Sequence, residues 1–386
     1  MEKISVIGIG KLGIAFALNA AQRGFDVVGV DVNKKYVDDL NNKIIETYEP
    51  DVEELLKGFG SKNFKATTEL LPAINHSNNI FVVVATPTDP VYGYDHSQVE
   101  GIVEKLISFG KQPSTKHLII CCTVLPGYTD SVYNRLGDYG WEVSYNPEFI
   151  AQGQIVNDQL YPDMILIGES NEFVGDWLQK FYGKFCGWKS RGVDSKPAFN
   201  RMSRISAEIT KISLNCFLTT KIAYANMVGD ICTLAGAETD KVLKAIGDDE
   251  RIGNKYLKYG FGYGGPCFPR DNRTLHKYAE TLGYDAKISK ASDESNNQHL
   301  DFQVQQFVNS IVGIKSKQLD LENFLMLDSI TYKPGTVIIE ESQQLLYAVK
   351  LAKLGYKITI REHPEVIRQV KELYGDLFIY EIKGDK

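Results

Sequence analysis

Runs of apolar residues divide the 386-residue chain into strand-like and helix-like segments. Ile4-Ser5-Val6-Ile7 is short and β-branched, and the segment after it carries Ile14, Phe16, Ala17, Ala20 and Ala21 at helical spacing before stopping at Gly24. Val27-Val28-Gly29-Val30 follows as a second strand ending in Asp31. Further strands are expected at Ile80 to Val84, Leu118 to Cys121, Glu142 to Tyr145 and Ile165 to Gly168, with helices from Gln98 to Phe109, from near Thr129, and from Phe173 to Phe185. Continuous apolar strands separated by helices predict a parallel sheet covered on both faces.

The pattern changes after this. Ser203 to Ala235 predicts one helix, with Ile205, Ile209, Ile212 and Cys216 as its buried stripe. Glu208, Lys211 and Asn215 share another face, which by periodicity alone is a solvated row. At about 30 residues the helix exceeds the usual globular length, which predicts a spine joining domains or building an interface. Helices are expected at Asp240 to Ile246, Asn272 to Thr281 and about Ser289 to Ile311. A smaller α/β unit follows, with strands Phe324 to Leu327 and Lys357 to Ile360, helices Glu340 to Leu354 and Glu365 to Leu373, and a last apolar run from Leu377 to Ile382.

Composition narrows the class. With 43% hydrophobic and 24% charged residues the chain is an ordinary globular protein, and a net charge of −6 argues against nucleic-acid or anionic-membrane partners. No apolar run approaches a membrane span, and Met1-Glu2-Lys3-Ile4 enters a strand without a signal-peptide pattern. The six cysteines form no C-x-x-C pair and no metal-ligand cluster, so they are expected to be free thiols of a cytoplasmic protein without a metal.

Candidate chemistry begins at Gly8-Ile9-Gly10-Lys11-Leu12-Gly13, which sits between strand and helix with Asp31 about 20 residues on. That context predicts a dinucleotide site: Gly8 for the turn, Gly10 for approach of the pyrophosphate, Gly13 for helix packing, and Asp31 for the ribose hydroxyls, which favours NAD over NADP. Thr86-Pro87-Thr88, Cys122-Thr123-Val124 and Asn146-Pro147-Glu148-Phe149 fall at the carboxyl ends of later strands, where ligands sit in such sheets. The fold class is therefore α/β: an N-terminal Rossmann-type parallel sheet over 1–195, a helical central domain over 196–300, and a smaller C-terminal Rossmann-like α/β domain over 301–386. In the central domain, Gly260-Phe261-Gly262-Tyr263-Gly264-Gly265-Pro266-Cys267 places one thiol on a glycine-rich loop, where positive φ and close ligand approach are expected, with Arg270 and Lys258 near enough in sequence to support a thiolate.

Taken together, these stretches, with Glu208-x-x-Lys211-x-x-x-Asn215, Arg251-Ile252-Gly253-Asn254-Lys255, Asp271 and Tyr332-Lys333-Pro334-Gly335, resemble the UDP-glucose/GDP-mannose dehydrogenase family over nearly the whole chain. The resemblance implies an NAD-dependent four-electron oxidation of a nucleotide sugar at C6, with UDP-glucose to UDP-glucuronate favoured. It implies Cys267 as the nucleophile, Lys211 and Asn215 at the oxyanion, Asp271 with Lys211 at the alcohol proton, Glu148 as acid or base, and Thr123 on a water. Cofactor contacts are implied for Gly8, Gly10, Lys11, Leu12, Gly13, Asp31, Thr86, Thr123 and Arg270. Substrate contacts are implied for Glu148, Lys211, Asn215, Arg251, Lys258, Gly264 and Lys333. Arg251 is expected to reach the substrate of a neighbouring subunit, in a homodimer built on the long helix. Gln152 stands where the family carries glutamate, and Glu340 where it carries a cation. The same chemistry on GDP-mannose or a UDP-N-acetylhexosamine, and a nucleotide-sugar or NAD binder without turnover, are the alternatives.

Overall fold

The computed structural model describes residues 1–60, 62–89, 91, 93–150, 153–187, 197–315 and 324–384; Gln152 and the boundary expected at 195/196 lie outside the described residues. The chain forms two compact units, Met1–Lys211 and Ile212–Lys386.

In the first unit the strands are β1 (Lys3–Ile7), β2 (Asp26–Val30), β3 (Phe64–Thr67), β4 (Asn79–Val82), a two-residue-stranded hairpin of β5 (Thr88–Asp89) and β6 (Gly93–Tyr94), then β7 (Lys116–Ile120), β8 (Trp141–Tyr145), β9 (Met164–Glu169) and β10 (Ala198–Ser203). Apart from the hairpin they build one sheet in the order β10-β9-β8-β7-β4-β1-β2-β3. Both faces are covered, which is why the central strands read as unbroken apolar runs. Alternation sends Phe81 and Ile119 into one core with Phe16, Phe181 and Phe185, and Ile80, Val82, Leu118 and Ile120 into the other with Val103, Leu106 and Trp141. Phe16 touches Phe81 and Phe185 at 4.9 Å between ring centroids in both pairs.

From β3 to β8 the pairing is parallel, as expected. The last pair departs from that pattern: β9 and β10 are parallel to each other, but β9 meets β8 antiparallel through Tyr145 and Gly168. Among the described residues the connection between β8 and β9 carries one six-residue helix, Ile155–Leu160. Neither β3 nor β10 shows an apolar run, and both sit at the sheet edges.

Between β1 and the helix Lys11–Gln22 the turn is made by Gly8 at φ +87°, with its would-be Cβ 2.8 Å from the Val83 carbonyl oxygen. A Cβ on Gly13 would overlap the Gly8 carbonyl, so helix and strand close together only on a bare Cα. Around Gly10 nothing lies within 4 Å of that position.

A 32-residue helix, Arg204–Ala235, carries the chain into the second unit. Its buried side is not the expected one. Ile212 and Cys216 are buried, but Ile205 and Ile209 are each 37% exposed, whereas Glu208, Lys211 and Asn215 are 0%, 8% and 9% exposed. The polar row expected to face solvent faces the interior, because partners from other segments meet it.

The helices Thr239–Gly247, Phe268–Thr281 and Lys287–Lys315 follow, then a three-stranded parallel sheet of β11 (Phe324–Leu327), β12 (Lys357–Glu362) and β13 (Ile379–Ile382), in that order. With the helices Gln343–Lys353 and Pro364–Tyr374 it encloses Leu345, Ile358, Ile360, Val366, Val370 and Phe378. Among the described residues no helix is long and apolar enough to cross a membrane, and no group of three or more His, Cys, Asp or Glu residues is placed to hold a metal ion.

Gly13→Ala is expected to cost about 1–3 kcal/mol of stability through overpacking, while Gly10→Ala leaves the unfolding midpoint nearly unchanged. Thermal melts of the two variants, followed by circular dichroism, check the contrast; equal loss at both positions would refute this account of the turn.

Candidate active site

At the start of the first helix the arrangement fits a dinucleotide. Gly10 caps the start of the helix with nothing within 4 Å of its would-be Cβ, and a helix N-terminus favours an anion such as the pyrophosphate. Asp31 follows β2, and its Oδ1 accepts the Asn33 N–H at 3.0 Å, which fixes the carboxylate beside the strand end. Lys11 pairs with the buried Glu49 at 3.3 Å. Glu49 in turn accepts the N–H of Gly153 through both carboxylate oxygens, at 2.9 and 3.0 Å. Leu12 is exposed at the start of the helix. At the ends of β4 and β7, Thr86 donates its hydroxyl to the Thr123 carbonyl at 2.9 Å, so these two predicted cofactor residues meet.

Strand β8 delivers the Asn146-Pro147-Glu148 turn, which is held from several sides. Asn146 donates its N–H to the Ile120 carbonyl and its amide to the Leu166 carbonyl, both at 2.8 Å, and accepts the Tyr182 hydroxyl at 2.5 Å. Lys211 donates to the Glu148 carbonyl at 2.6 Å and lies 4.3 Å over the Phe149 ring. Inside the turn, burial pushes the Glu148 carboxyl up to about 7, against hydrogen bonding from Gln159 and the charge of Lys211. A carboxyl poised there exchanges protons near neutrality. One turn earlier on the long helix, Glu208 accepts the N–H groups of Gly127 at 2.5 Å and Thr129 at 2.8 Å, at the start of the helix Tyr128–Leu136. Its place is structural: it satisfies orphan donors of a helix N-terminus.

In the second unit, Cys267 occupies the N-cap position of the helix Phe268–Thr281 and is the one exposed cysteine; Cys121, Cys122, Cys186, Cys216 and Cys232 are buried. Asp271, fully buried one turn on, accepts the Asn215 amide at 2.6 Å and Arg270 Nε at 3.2 Å. Arg270, expected beside the thiol, is thus engaged with its neighbour's carboxylate.

The glycines of the loop mostly serve packing rather than ligand approach. Gly265 alone among them has positive φ, at +83°, with the Tyr332 ring against it. A Cβ on Gly264 would overlap the Glu341 carbonyl, and one on Gly262 the Asn296 side chain. Gly265 donates its N–H to the Glu340 carbonyl at 3.0 Å, and Arg273 closes on Glu341 with two bonds of 2.9 and 2.8 Å. At the other end of the loop, Asn296 pairs with the Tyr263 backbone through both N–H and carbonyl at 2.9 Å. His299 faces the Gly260 carbonyl with Nε2 at 2.6 Å and Asp230 with Nδ1 at 2.9 Å.

The remaining predicted residues are placed separately. Arg251 is exposed and forked onto Asp249 at 2.9 and 2.7 Å; Lys258 is exposed. Lys333 is half-buried in a turn whose carbonyl accepts the Thr331 and Thr336 hydroxyls. Glu340 is exposed; partial burial raises its carboxyl and the Arg270 charge opposes that. Gln159 and Glu49 were not anticipated. No local spacing marks them, since their partners lie up to 147 residues away.

Residues 2–186 match the NAD binding domain of the UDP-glucose/GDP-mannose dehydrogenase family, and residues 205–298 match its central domain. The chain is 28% identical to the UDP-glucose 6-dehydrogenase YwqF of Bacillus subtilis, covering 92% of this chain and 78% of that one. It is 30% identical to the UDP-glucose 6-dehydrogenase of Rickettsia conorii, covering 86% and 74%. Among solved structures, a UDP-glucose dehydrogenase from the hyperthermophilic archaeon Pyrobaculum islandicum superposes with a TM-score of 0.85 at 28% identity, covering 100% of this chain and 86% of that chain. The glycine turn with its Asp31, the buried Glu148, the half-helix of polar residues and the thiol at a helix start all lie within the matched stretches, and the chain belongs to the UDP-glucose/GDP-mannose dehydrogenase family of NAD-binding nucleotide-sugar dehydrogenases.

Proposed function

We propose that this chain oxidises the C6 hydroxyl of UDP-glucose to a carboxylate in two two-electron stages, by covalent capture on Cys267. The observation that carries the reading is the thiol itself: one exposed cysteine at the N-cap of a 14-residue helix, while five others are buried. A helix N-terminus favours the thiolate and so the nucleophile. An oxidation that stopped at the aldehyde would have no use for it. Bound NAD supplies the hydride acceptor for each stage.

Each residue then has a defined task. In the first stage the C6 hydroxyl gives its proton to the Asp271 carboxylate, assisted by Lys211, and C6 gives up a hydride to the acceptor, leaving an aldehyde. Cys267 Sγ bonds to the aldehyde carbon, and Lys211 Nζ and the Asn215 amide stabilise the oxyanion of the resulting thiohemiacetal. Loss of the second hydride leaves a thioester. Glu148, as carboxylate, takes a proton from the water that attacks the thioester carbon; the C–S bond breaks, the thiol is restored and the acid is released. Thr123 orients water, Arg270 joins the cofactor contacts, and Gly264, Lys258 and Lys333 contact the nucleotide sugar.

UDP-glucose is favoured by the relatives that carry that activity in their names. Glu340 supports a second reading, the same chemistry on another nucleotide sugar, because an exposed carboxylate beside a diphosphate weakens its binding. A homodimer is supported by the long helix: Phe217, Tyr224 and Ile231 recur every seven residues, Met227 and Leu234 lie between and beyond them, and all five are exposed. Arg251 would serve the partner's substrate. Six cysteines outside any disulfide support a cytoplasmic setting.

Three outcomes test this reading. Counting NADH against a panel of UDP- and GDP-sugars should give about two per sugar by the thioester route, with UDP-glucose fastest, while Cys267→Ser should yield no acid; one NADH per sugar would overturn the four-electron assignment. The rate of acid release should climb with pH through about 7, the value to which burial brings Glu148, because the carboxylate is the active form and is lost on protonation below it; Glu148→Gln should abolish that limb in stopped-flow pH profiles. Ile231→Glu should convert the dimer to a monomer in sedimentation velocity; an unchanged dimer would place the interface elsewhere.

A further inference from the structure

Glu148 is held by a buried amide. Gln159, on the short helix Ile155–Leu160, is 5% exposed, and its Nε2 lies 3.1 Å from both carboxylate oxygens of Glu148 and 3.3 Å from the Leu12 carbonyl. Its two hydrogens are both used, one on the carboxylate and one on the first turn of the dinucleotide helix. On its other side Oε1 accepts the Asn19 amide at 3.0 Å, and Asn19, fully buried in that same helix, also reaches the Val156 carbonyl at 3.4 Å. The chain of donors has one direction only. An ionised carboxylate accepts and never donates, so the Gln159 amide must turn its nitrogen toward Glu148 and its oxygen toward Asn19.

From this geometry we infer that Gln159, oriented by Asn19, is a positioning residue that holds the Glu148 carboxylate in place against the cofactor-binding helix and favours its charged form. The inference rests on the reading of Glu148 as the base for hydrolysis. Two buried amides in an apolar core have a cost that their hydrogen bonds offset, although Asn19 Oδ1 finds no partner among the described residues. Their partners account for their presence.

Among the described residues Cys121 and Tyr182 face Glu148 without titrating alongside it, and the buried Asp158 lines the same cavity. Cys121 beyond β7 and Tyr182 on the helix Glu172–Phe185 are both held well above their ordinary values by burial, so they stay neutral at pH 6–8. The Lys211 charge acts from the long helix and favours the carboxylate, as Gln159 does. Removing the amide leaves burial opposed only by Lys211. The proton is then held more tightly, and the pH at which the base becomes competent rises.

The test is the pH profile of acid release in Gln159→Leu, Gln159→Met and Asn19→Ala, on full-length enzyme with thermal melts to establish folding. The acid limb should move upward by about one pH unit in the two Gln159 variants and by about half as much in Asn19→Ala, with the plateau rate at high pH nearly retained. A limb that stays in place in any folded Gln159 variant, while Glu148→Gln abolishes it, overturns the proposal. Should Gln159→Leu and Gln159→Met fold poorly, an unmoved limb in Asn19→Ala overturns it instead. Persistence of the limb in Glu148→Gln would be a different failure, that of the hydrolytic base itself.

Discussion

A polar group removed from water must find a partner, and the long helix Arg204–Ala235 is built around that constraint. Along its interior side it buries Glu208, Lys211, Asn215 and Thr219. Each is met: Glu208 by two N–H groups of a helix start, Lys211 by the Glu148 carbonyl, Asn215 by the Asp271 carboxylate, and Thr219 by the Asn272 amide oxygen at 3.3 Å. Leaving any one unpaired would cost about 1–3 kcal/mol. Such a row specifies which loops pack there more sharply than an aliphatic stripe of equal area, since a slip of the helix would part Glu208 and Asn215 from the partners named above.

The same constraint explains what could and could not be read from the chain. Gly8, Gly10, Gly13 and Asp31 were legible because their meaning is local, with strand, turn and helix within 31 residues. The periodicity of Ile205, Ile209, Ile212 and Cys216 was also local, and it placed two of the four on the wrong side. Periodicity finds a helix; it does not tell which side meets partners from elsewhere. Lys211 and Asn215 were identified as a shared face, but only Glu148 and Asp271 make that face an interior one. Gln159 and Glu49 gave no signal, because a lone amide or acid acquires meaning from residues over a hundred positions away. The reversed pair β9 and β10 was hidden for another reason: the apolar run Met164–Glu169 reads the same in either strand direction.

Thiol reactivity follows from position more than from neighbouring charge. Cys122 and Cys186 are pushed up to about 12 by burial, and Cys216 likewise, with the Asp271 carboxylate adding to it. These sulfurs are inert as nucleophiles near neutrality. Cys267 differs in place: it is exposed and stands at the N-cap of a helix, an end that favours negative charge. Arg270, the nearest guanidinium in sequence, is bonded to Asp271.

The clasp between the glycine loop and the segment around Glu341 has a consequence for the evolution of the chain. Glu341 itself adopts φ +47°, a conformation costly for a residue with a side chain, and its neighbour's carbonyl receives Gly265 while Tyr332 covers that glycine. The loop's rigidity is therefore leased from the small C-terminal sheet. A descendant that shed that layer would keep every atom of the thiol turn yet lose its posture, so the terminal module and the reactive turn should be inherited, or abandoned, as one piece.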